Sequence, residues 1–124
     1  MKVRCLKYFD AMGLPSDESR WLRIGQTYHV MGQELADGKV LNYLIVTNDT
    51  DPGFFSMGHF PAESFEIVSE IIPPNWASLQ SGGVTSVLPK SWLEPGFFND
   101  FYEGDPRAYA IYELERTVIL KSDP

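Results

Sequence analysis

Short runs of alternating or densely apolar residues, separated by turn-forming residues, occupy the first 70 positions of the chain. Apolar and polar residues alternate over residues 3–8, which predicts a first strand. A long polar loop containing Gly13 and Pro15 is predicted to follow it. The Asp37-Gly38 pair predicts a hairpin between the second and third strands. The remaining strands are predicted over four segments: 27–33, 40–47, 54–57 and 65–68. The first half of the chain is therefore predicted to be a small all-β unit.

The pattern changes after Glu70. Two consecutive prolines within Ile71-Ile72-Pro73-Pro74-Asn75 hold the backbone extended, so this segment is predicted to be a stiff connector. Residues 76–80 and 84–88 flank Ser81-Gly82-Gly83 and have the apolar content of short strands. We therefore predict a β-hairpin after the connector.

The last third of the chain is predicted to be mainly helical. Residues 89–94 and 96–102 are typical of short helical turns, and Asp105-Pro106 predicts the N-cap and first position of a helix ending near residue 120 or 121. At 100° per residue, its predicted buried face holds Ala108, Ile111, Leu114, Glu115, Val118 and Ile119. The opposite, polar side is predicted to hold Tyr109, Glu113, Arg116 and Leu120. Because a buried carboxylate is costly unless paired, we expect this face to dock only in part and Glu115 to reach solvent.

Four segments of the first half resemble an SH3-like β-barrel: Gly25-Gln26-Thr27-Tyr28-His29-Val30, Tyr43-Leu44-Ile45-Val46, Gly58-His59-Phe60-Pro61 and Phe65-Glu66-Ile67-Val68. Five short strands, a long loop after the first and a proline-initiated turn before the last are the shared features. The resemblance covers residues 3–69. It implies an α+β protein with a five-stranded barrel over residues 1–70, on which residues 71–124 pack as a hairpin and helical extension.

The resemblance concerns the fold and does not extend to the ligand. In the eukaryotic signalling members of the family, a groove of aromatic side chains binds proline-rich peptides. This chain lacks the Trp near the start of the third strand, and Ser64 stands where an aromatic residue would help to form that groove.

Composition and charge narrow the classes of function. A chain of 124 residues with 44% hydrophobic residues is expected to fold around a core. A net charge of -7 disfavours binding to nucleic acid or to an anionic membrane. The charge has two explanations, a basic protein partner or simply solubility, and solubility is the more common of the two. Cys5 is the only cysteine, so no disulfide framework is expected. The N-terminal residues lack the apolar run of a signal peptide, and we expect a cytoplasmic protein.

Residues suited to catalysis are few. Cys5, His29 and His59 lie on three predicted strands and could in principle meet, but a Cys–His pair also needs a third, orienting group. Asn48-Asp49-Thr50-Asp51 resembles the opening of a calcium loop, although Pro52-Gly53 and the missing bidentate Glu favour a turn. We therefore predict no catalytic site, metal or cofactor.

Aromatic residues are concentrated in the last third of the chain, and aromatic side chains dominate interface hot spots. Most are expected to fill the seam between the barrel and the extension, and one or two exposed among carboxylates would form a binding patch. The candidate patch comprises Trp92, Phe97, Phe98, Asp100, Phe101, Tyr102, Glu103, Asp105 and Tyr109.

Three functions follow as hypotheses. The first is non-catalytic binding of a basic protein, in the manner of bacterial immunity or antitoxin proteins that mask a toxin surface by charge complementarity. The alternative is a structural subunit that self-associates through the aromatic C-terminal region. The third is a small hydrolase or transferase that uses His29 or His59.

Overall fold

The computed structural model describes residues 1–48 and 56–124, and within these ranges the chain is a mixed α+β protein. Its strands are β1 (Lys2–Cys5), β2 (Tyr8–Phe9), β3 (Pro15–Ser16), β4 (Thr27–Ala36), β5 (Lys39–Asn48), β6 (Ser56–Pro61), β7 (Phe65–Ser69), β8 (Trp76–Ser81) and β9 (Val84–Pro89). Its helices are α1 (Phe97–Tyr102) and α2 (Pro106–Ser122), with 3₁₀ turns at Ala62–Ser64 and Lys90–Leu93.

Seven of these strands form one antiparallel sheet with β4 near its centre. Five follow the order β6-β5-β4-β1-β7, while β9 pairs with β4 and β8 with β9. One edge of β4 pairs with β5, and its other edge pairs with β1 at residues 27–29 and with β9 at residues 33–35. In the described ranges β6 and β7 do not pair, so the sheet does not close into the predicted barrel.

Local turn and capping signals predicted several elements that the structure confirms. The hairpins at Asp37-Gly38 and Gly82-Gly83 are present, and all four of these residues have positive φ angles. Helix α2 starts at Pro106, and the Asp105 carboxylate accepts a hydrogen bond from the backbone N–H of Arg107 at 2.9 Å. The short helical turns before α2 are also confirmed.

Three strand ends were predicted wrongly. The first strand ends at Cys5 rather than continuing to Tyr8, because the N–H of Leu6 turns to the carbonyl of Ser64. The strand predicted over 27–33 continues to Ala36, and the strand predicted over 54–57 continues to Pro61, which pairs with Asn42. Residues 49–55, which hold most of the calcium-like segment Asn48-Asp49-Thr50-Asp51 and the start of the predicted strand 54–57, lie outside the described residues.

Buried side chains form two clusters on opposite faces of the sheet, because neighbours along a strand point to opposite sides. One cluster contains Met1, Val3, Cys5, Leu22, Tyr28, Val30, Tyr43 and Ile45. The other contains Met31, Leu44, Met57, Leu88, Trp92, Phe97, Phe101, Ala108, Tyr112 and Ile119. The second cluster therefore joins the sheet to the C-terminal helices.

The buried face of α2 matches the predicted one only in part. Ala108 and Ile119 are buried as predicted, and Val118 is half-buried. Tyr112 is also buried, whereas Leu114 is 67% exposed and Ile111 is exposed. The apolar pattern placed Leu114 in the core because Tyr112 was not counted as a core residue. Tyr112 offers the larger apolar area, and burying it rotates the Leu114 side outward.

Aromatic contacts fix this orientation of α2. The ring of Tyr112 stacks on Trp92, with centroids 5.7 Å apart, and lies 5.0 Å from the ring of Phe101. Tyr109, predicted to face outward, packs edge-on against Phe101 at 5.3 Å. Glu115 is half-buried, and its backbone carbonyl accepts a hydrogen bond from the Asn75 amide. None of the helices in the described ranges combines the length and apolar character needed to cross a bilayer.

Candidate functional site

The loop between β1 and β4, residues 6–26, contains its own short hairpin. Strands β2 and β3 pair near its tip, with Tyr8 opposite Ser16. The carboxylate of Asp10 accepts hydrogen bonds from the backbone N–H groups of Met12 and Leu14, at 2.9 and 3.0 Å. An aspartate in this position organises the turn in the same way as an Asx turn. The tip of the loop therefore has a defined shape.

Two tyrosine hydroxyls fasten the returning half of the loop. The hydroxyl of Tyr8 accepts a hydrogen bond from the N–H of Ile24, and that of Tyr28 accepts one from the N–H of Arg23, both at 2.9 Å. Burial raises the pKa of Tyr28, while the hydrogen bond from Arg23 opposes this shift. The Tyr28 hydroxyl therefore stays neutral at physiological pH and acts as a fixed acceptor.

A cavity of about 490 Å³ lies between this loop and the turn that joins β6 to β7. Its apolar lining is Phe9, Ala11, Trp21, Leu22, Phe60 and Pro61, and its polar lining is Asp10, Ser16, Glu18, Ser19, Arg20 and Ser64. Trp21 is 46% exposed and also lines a second cavity of about 170 Å³ beside Gly58 and Phe60. We call the first cavity, with these twelve residues, the loop groove.

The charges in the lining of the loop groove are two carboxylates, Asp10 and Glu18, and one guanidinium, that of Arg20. The guanidinium carbon of Arg20 lies 5.7 Å from the ring centroid of Trp21, within cation–π range. The Asp10 carboxylate already accepts hydrogen bonds from the N–H groups of Met12 and Leu14, while Glu18 is the second carboxylate of the lining. The loop groove thus combines an apolar aromatic surface with a polar one that carries two negative charges and one positive charge.

The predicted partner-binding residues do not form one exposed patch. Three of them are buried in the core below α2: Trp92, Phe97 and Phe101. Two others, Phe98 and Tyr109, are half-buried beside them, and Asp105 serves as the cap of α2. The exposed remainder is Asp100, Tyr102 and Glu103. The expectation that most of the aromatic residues fill the seam is therefore confirmed, and the patch is reduced to these three.

The three candidate catalytic residues have separate partners. Cys5 is buried, and its thiol lies 3.7 Å from a backbone carbonyl; burial raises the pKa of Cys5, which disfavours the reactive thiolate. His29 Nε2 lies 2.7 Å from the carbonyl of Asp123, and His59 Nε2 lies 3.6 Å from the Glu34 carboxylate. Across the described ranges, no group of three or more His, Cys, Asp or Glu residues could hold a metal ion.

A buried charge cluster joins the two ends of the chain. The carboxylate of Asp123 lies 3.0 Å from the ammonium of Met1 and 3.7 Å from Lys2 Nζ. Lys2 Nζ also donates to the carbonyl of Pro124 at 2.8 Å. The pKa of Asp123 is lowered mainly by a hydrogen bond from the Ser69 side chain and, to a smaller extent, by the Met1 ammonium. No pattern in the sequence indicates this cluster, because its members come from distant segments.

Comparisons with protein-family models, with curated proteins and with solved structures find no match for this chain. The loop groove was not predicted from the sequence either. Its walls come from two separate segments, and the available signals were Trp21 within a polar loop and the Phe60-Pro61 pair.

Proposed function

We propose that this chain is a non-catalytic protein-binding module whose loop groove receives a basic, partly apolar segment of another protein. The observation that carries the proposal is the cavity of about 490 Å³ that joins aromatic walls to two carboxylates. Aromatic side chains supply contact area at low cost in rotamer entropy, and carboxylates select cationic residues. The hydrogen bonds of Tyr8 and Tyr28 to the loop pre-organise the groove, which reduces the entropy lost on binding.

An SH3-like architecture is part of this proposal. Five antiparallel strands lie in the order β6-β5-β4-β1-β7, a long loop follows β1, and Pro61 leads into a 3₁₀ turn before β7. These are the features on which the resemblance depends, and they support it. In this arrangement the barrel is open between β6 and β7.

The more specific form of the proposal is an immunity-like or antitoxin-like inhibitor of a basic toxin. Its support is the net charge of -7 together with the two carboxylates in the lining of the loop groove. A structural subunit that self-associates through the C-terminal aromatic residues has less support. The burial of Trp92, Phe97 and Phe101 removes most of the apolar area which such an interface would need.

The test compares Trp21→Ala with Tyr102→Ala, which truncates an exposed aromatic residue of the predicted patch. Each protein is used to capture partners from an extract of the native host, and the dissociation constant is then measured with the purified partner at low and high salt. Because truncating a hot-spot residue costs about 2 kcal/mol, Trp21→Ala should bind about 30-fold more weakly. Tyr102→Ala should bind as the parent protein does, although its urea midpoint should fall because it loses the hydrogen bond to the Met57 carbonyl. Trp21→Ala should keep the urea midpoint of the parent protein.

Two results would overturn the groove as the binding site. One is a basic partner whose affinity falls with Tyr102→Ala and not with Trp21→Ala. The other is binding that does not change with salt, because the proposed carboxylate contacts are screened by ions. Recovery of this chain alone, as a stable salt-resistant assembly, would favour the structural-subunit alternative.

A further inference from the structure

Strand β7 forms an outer edge of the sheet. In the part of the chain that the structure describes, its only strand partner is β1, with Ile67 opposite Val3 and Glu66 opposite Arg4. Backbone N–H and C=O groups alternate along a strand, so those on the outer side of β7 face away from the sheet. Such an edge can accept one additional strand.

The segment that starts with β7 is unusually apolar for an exposed edge. Ile67 is 48% exposed and Ile72 is 60% exposed, and Val68 and Ile71 are exposed between them. Residues 65–72 contain no lysine, arginine or proline. Edge strands are commonly protected from pairing by lysine, by proline or by a bulge. Strand β7 lacks the first two, and its one irregularity is a register shift against β1 between Ile67 and Ser69.

The other outer strands differ from β7. The edge strand β6 is contacted by α1, because the hydroxyl of Tyr102 donates to the carbonyl of Met57 at 3.2 Å. Trp21 lines a cavity together with Gly58 on the same strand. Strand β8 is exposed as well, but Ser78, Gln80 and Ser81 give it a mostly polar surface. The apolar, uncovered edge is therefore specific to β7.

Charge identifies the kind of strand that fits this edge. Glu66 and Glu70 are exposed, and the Glu66 carboxylate lies 2.7 Å from the Arg4 guanidinium on the neighbouring strand. A cation on an added strand would extend this cross-strand pair on one face, while an apolar residue next to it would contact Ile67 on the other face. A second copy of this chain would bring its own Glu66 and Glu70 to the interface, and like charges destabilise such pairs.

We propose that β7 accepts, by strand addition, an extended segment of a partner protein in which lysine or arginine alternates with apolar residues. The affinity comes from backbone hydrogen bonds and from contact of the apolar residues with Ile67. Selectivity comes from Glu66 and Glu70. This surface is separate from the aromatic residues of the loop groove, so it does not depend on the function proposed above.

The test uses the full chain and a blocked peptide of about eight residues in which lysine and valine alternate, a length matched to one strand. NMR measures amide shifts and hydrogen exchange with and without the peptide. We expect amide exchange in Phe65–Ser69 to slow at least about tenfold at saturation, and the corresponding glutamate–valine peptide to bind at least about tenfold more weakly.

Two variants that add the same charge complete the test. Ile67→Lys places a cation on the edge and should weaken binding of the lysine–valine peptide at least about tenfold, whereas Leu114→Lys, on exposed α2, should bind as the parent protein does. Urea denaturation establishes that both variants are folded.

Several outcomes would overturn the proposal. One is slower amide exchange at Phe9 and Trp21 and not in β7. Another is equal affinity for the two peptides. The third is no change in the amide shifts and exchange rates of β7 at about 1 mM peptide, where even weak strand addition is measurable. Protection of β7 that grows with protein concentration in the absence of peptide would instead identify a second copy as the occupant.

Discussion

Asp123 brings together groups from both ends of the chain and from β7. Its side chain is 7% exposed, and the side chain of Met1, whose ammonium faces it, is 6% exposed. Breaking a buried ion pair by removing one partner leaves the other charge buried and unpaired. The Asp123→Asn variant is therefore expected to lose about 3 kcal/mol of unfolding free energy at neutral pH, measured by urea denaturation.

The matched control is Glu66→Gln, which breaks the Arg4–Glu66 ion pair. Both side chains of that pair are nearly half exposed, so the loss should be below about 1 kcal/mol. Equal losses for the two variants would show that the Asp123 pair contributes no more than a surface pair does.

The same residue makes stability depend on pH in a defined direction. The pKa of Asp123 is lowered in the folded protein from its ordinary value of 3.8, so the stabilisation is fully present above that value. It is lost as the pH falls through the lower, folded pKa. The stability difference between the parent protein and Asp123→Asn should therefore be constant from about pH 7 to pH 5 and should shrink below about pH 4. A difference that grows on acidification would contradict this assignment.

At the level of secondary-structure elements, the orientation of α2 can be tested directly. Tyr112→Ala removes a ring that is enclosed by Trp92 and Phe101, and it should cost about 3–4 kcal/mol. Leu114→Ala removes an exposed side chain and should change the unfolding free energy by less than about 0.5 kcal/mol. The opposite order of effects in urea denaturation would restore the face predicted from apolar periodicity.

Elements with a local signal were predictable from the sequence. Asp37-Gly38 and Gly82-Gly83 are turns because these residues tolerate positive φ, and Asp105 caps α2 because its side chain reaches a nearby backbone N–H. The need for a glycine at position 32 could not be predicted from the local sequence. A Cβ at this position would lie 2.6 Å from the Val87 carbonyl, a close approach of β4 and β9 that no local pattern reveals. The loop groove and the orientation of α2 likewise depend on contacts between distant segments.

At the scale of the whole molecule, the two predicted domains share one sheet and one core cluster. Strand β9 pairs with β4, and Met31, Leu44 and Met57 are buried together with residues of the C-terminal helices. A chain that ends at Glu70 would expose these three side chains and leave part of β4 unpaired. We expect this shortened chain to lose cooperative urea unfolding and its near-ultraviolet circular dichroism.

The full-length chain, measured under the same conditions, is the control for this shortening. A sharp unfolding transition in the shortened chain would contradict the expectation and would identify residues 1–70 as an independently folding domain. Because the loop groove is built entirely from residues 9–64, that outcome would also allow its binding to be measured apart from the C-terminal helices.

The placement of two tryptophans gives the molecule separate optical reporters. Trp92 is 1% exposed and stacked between aromatic rings, while Trp21 stands in the wall of the loop groove and is open to water. Small soluble quenchers will therefore reduce the fluorescence of Trp21 at much lower concentrations than the fluorescence of Trp92. A bound partner should protect Trp21 from the quencher, and this protection reports occupancy of the groove. Unfolding should make Trp92 accessible to the quencher. In a Trp76→Phe variant, which removes the third, half-buried tryptophan, one unlabelled sample thus distinguishes a bound partner from a damaged fold.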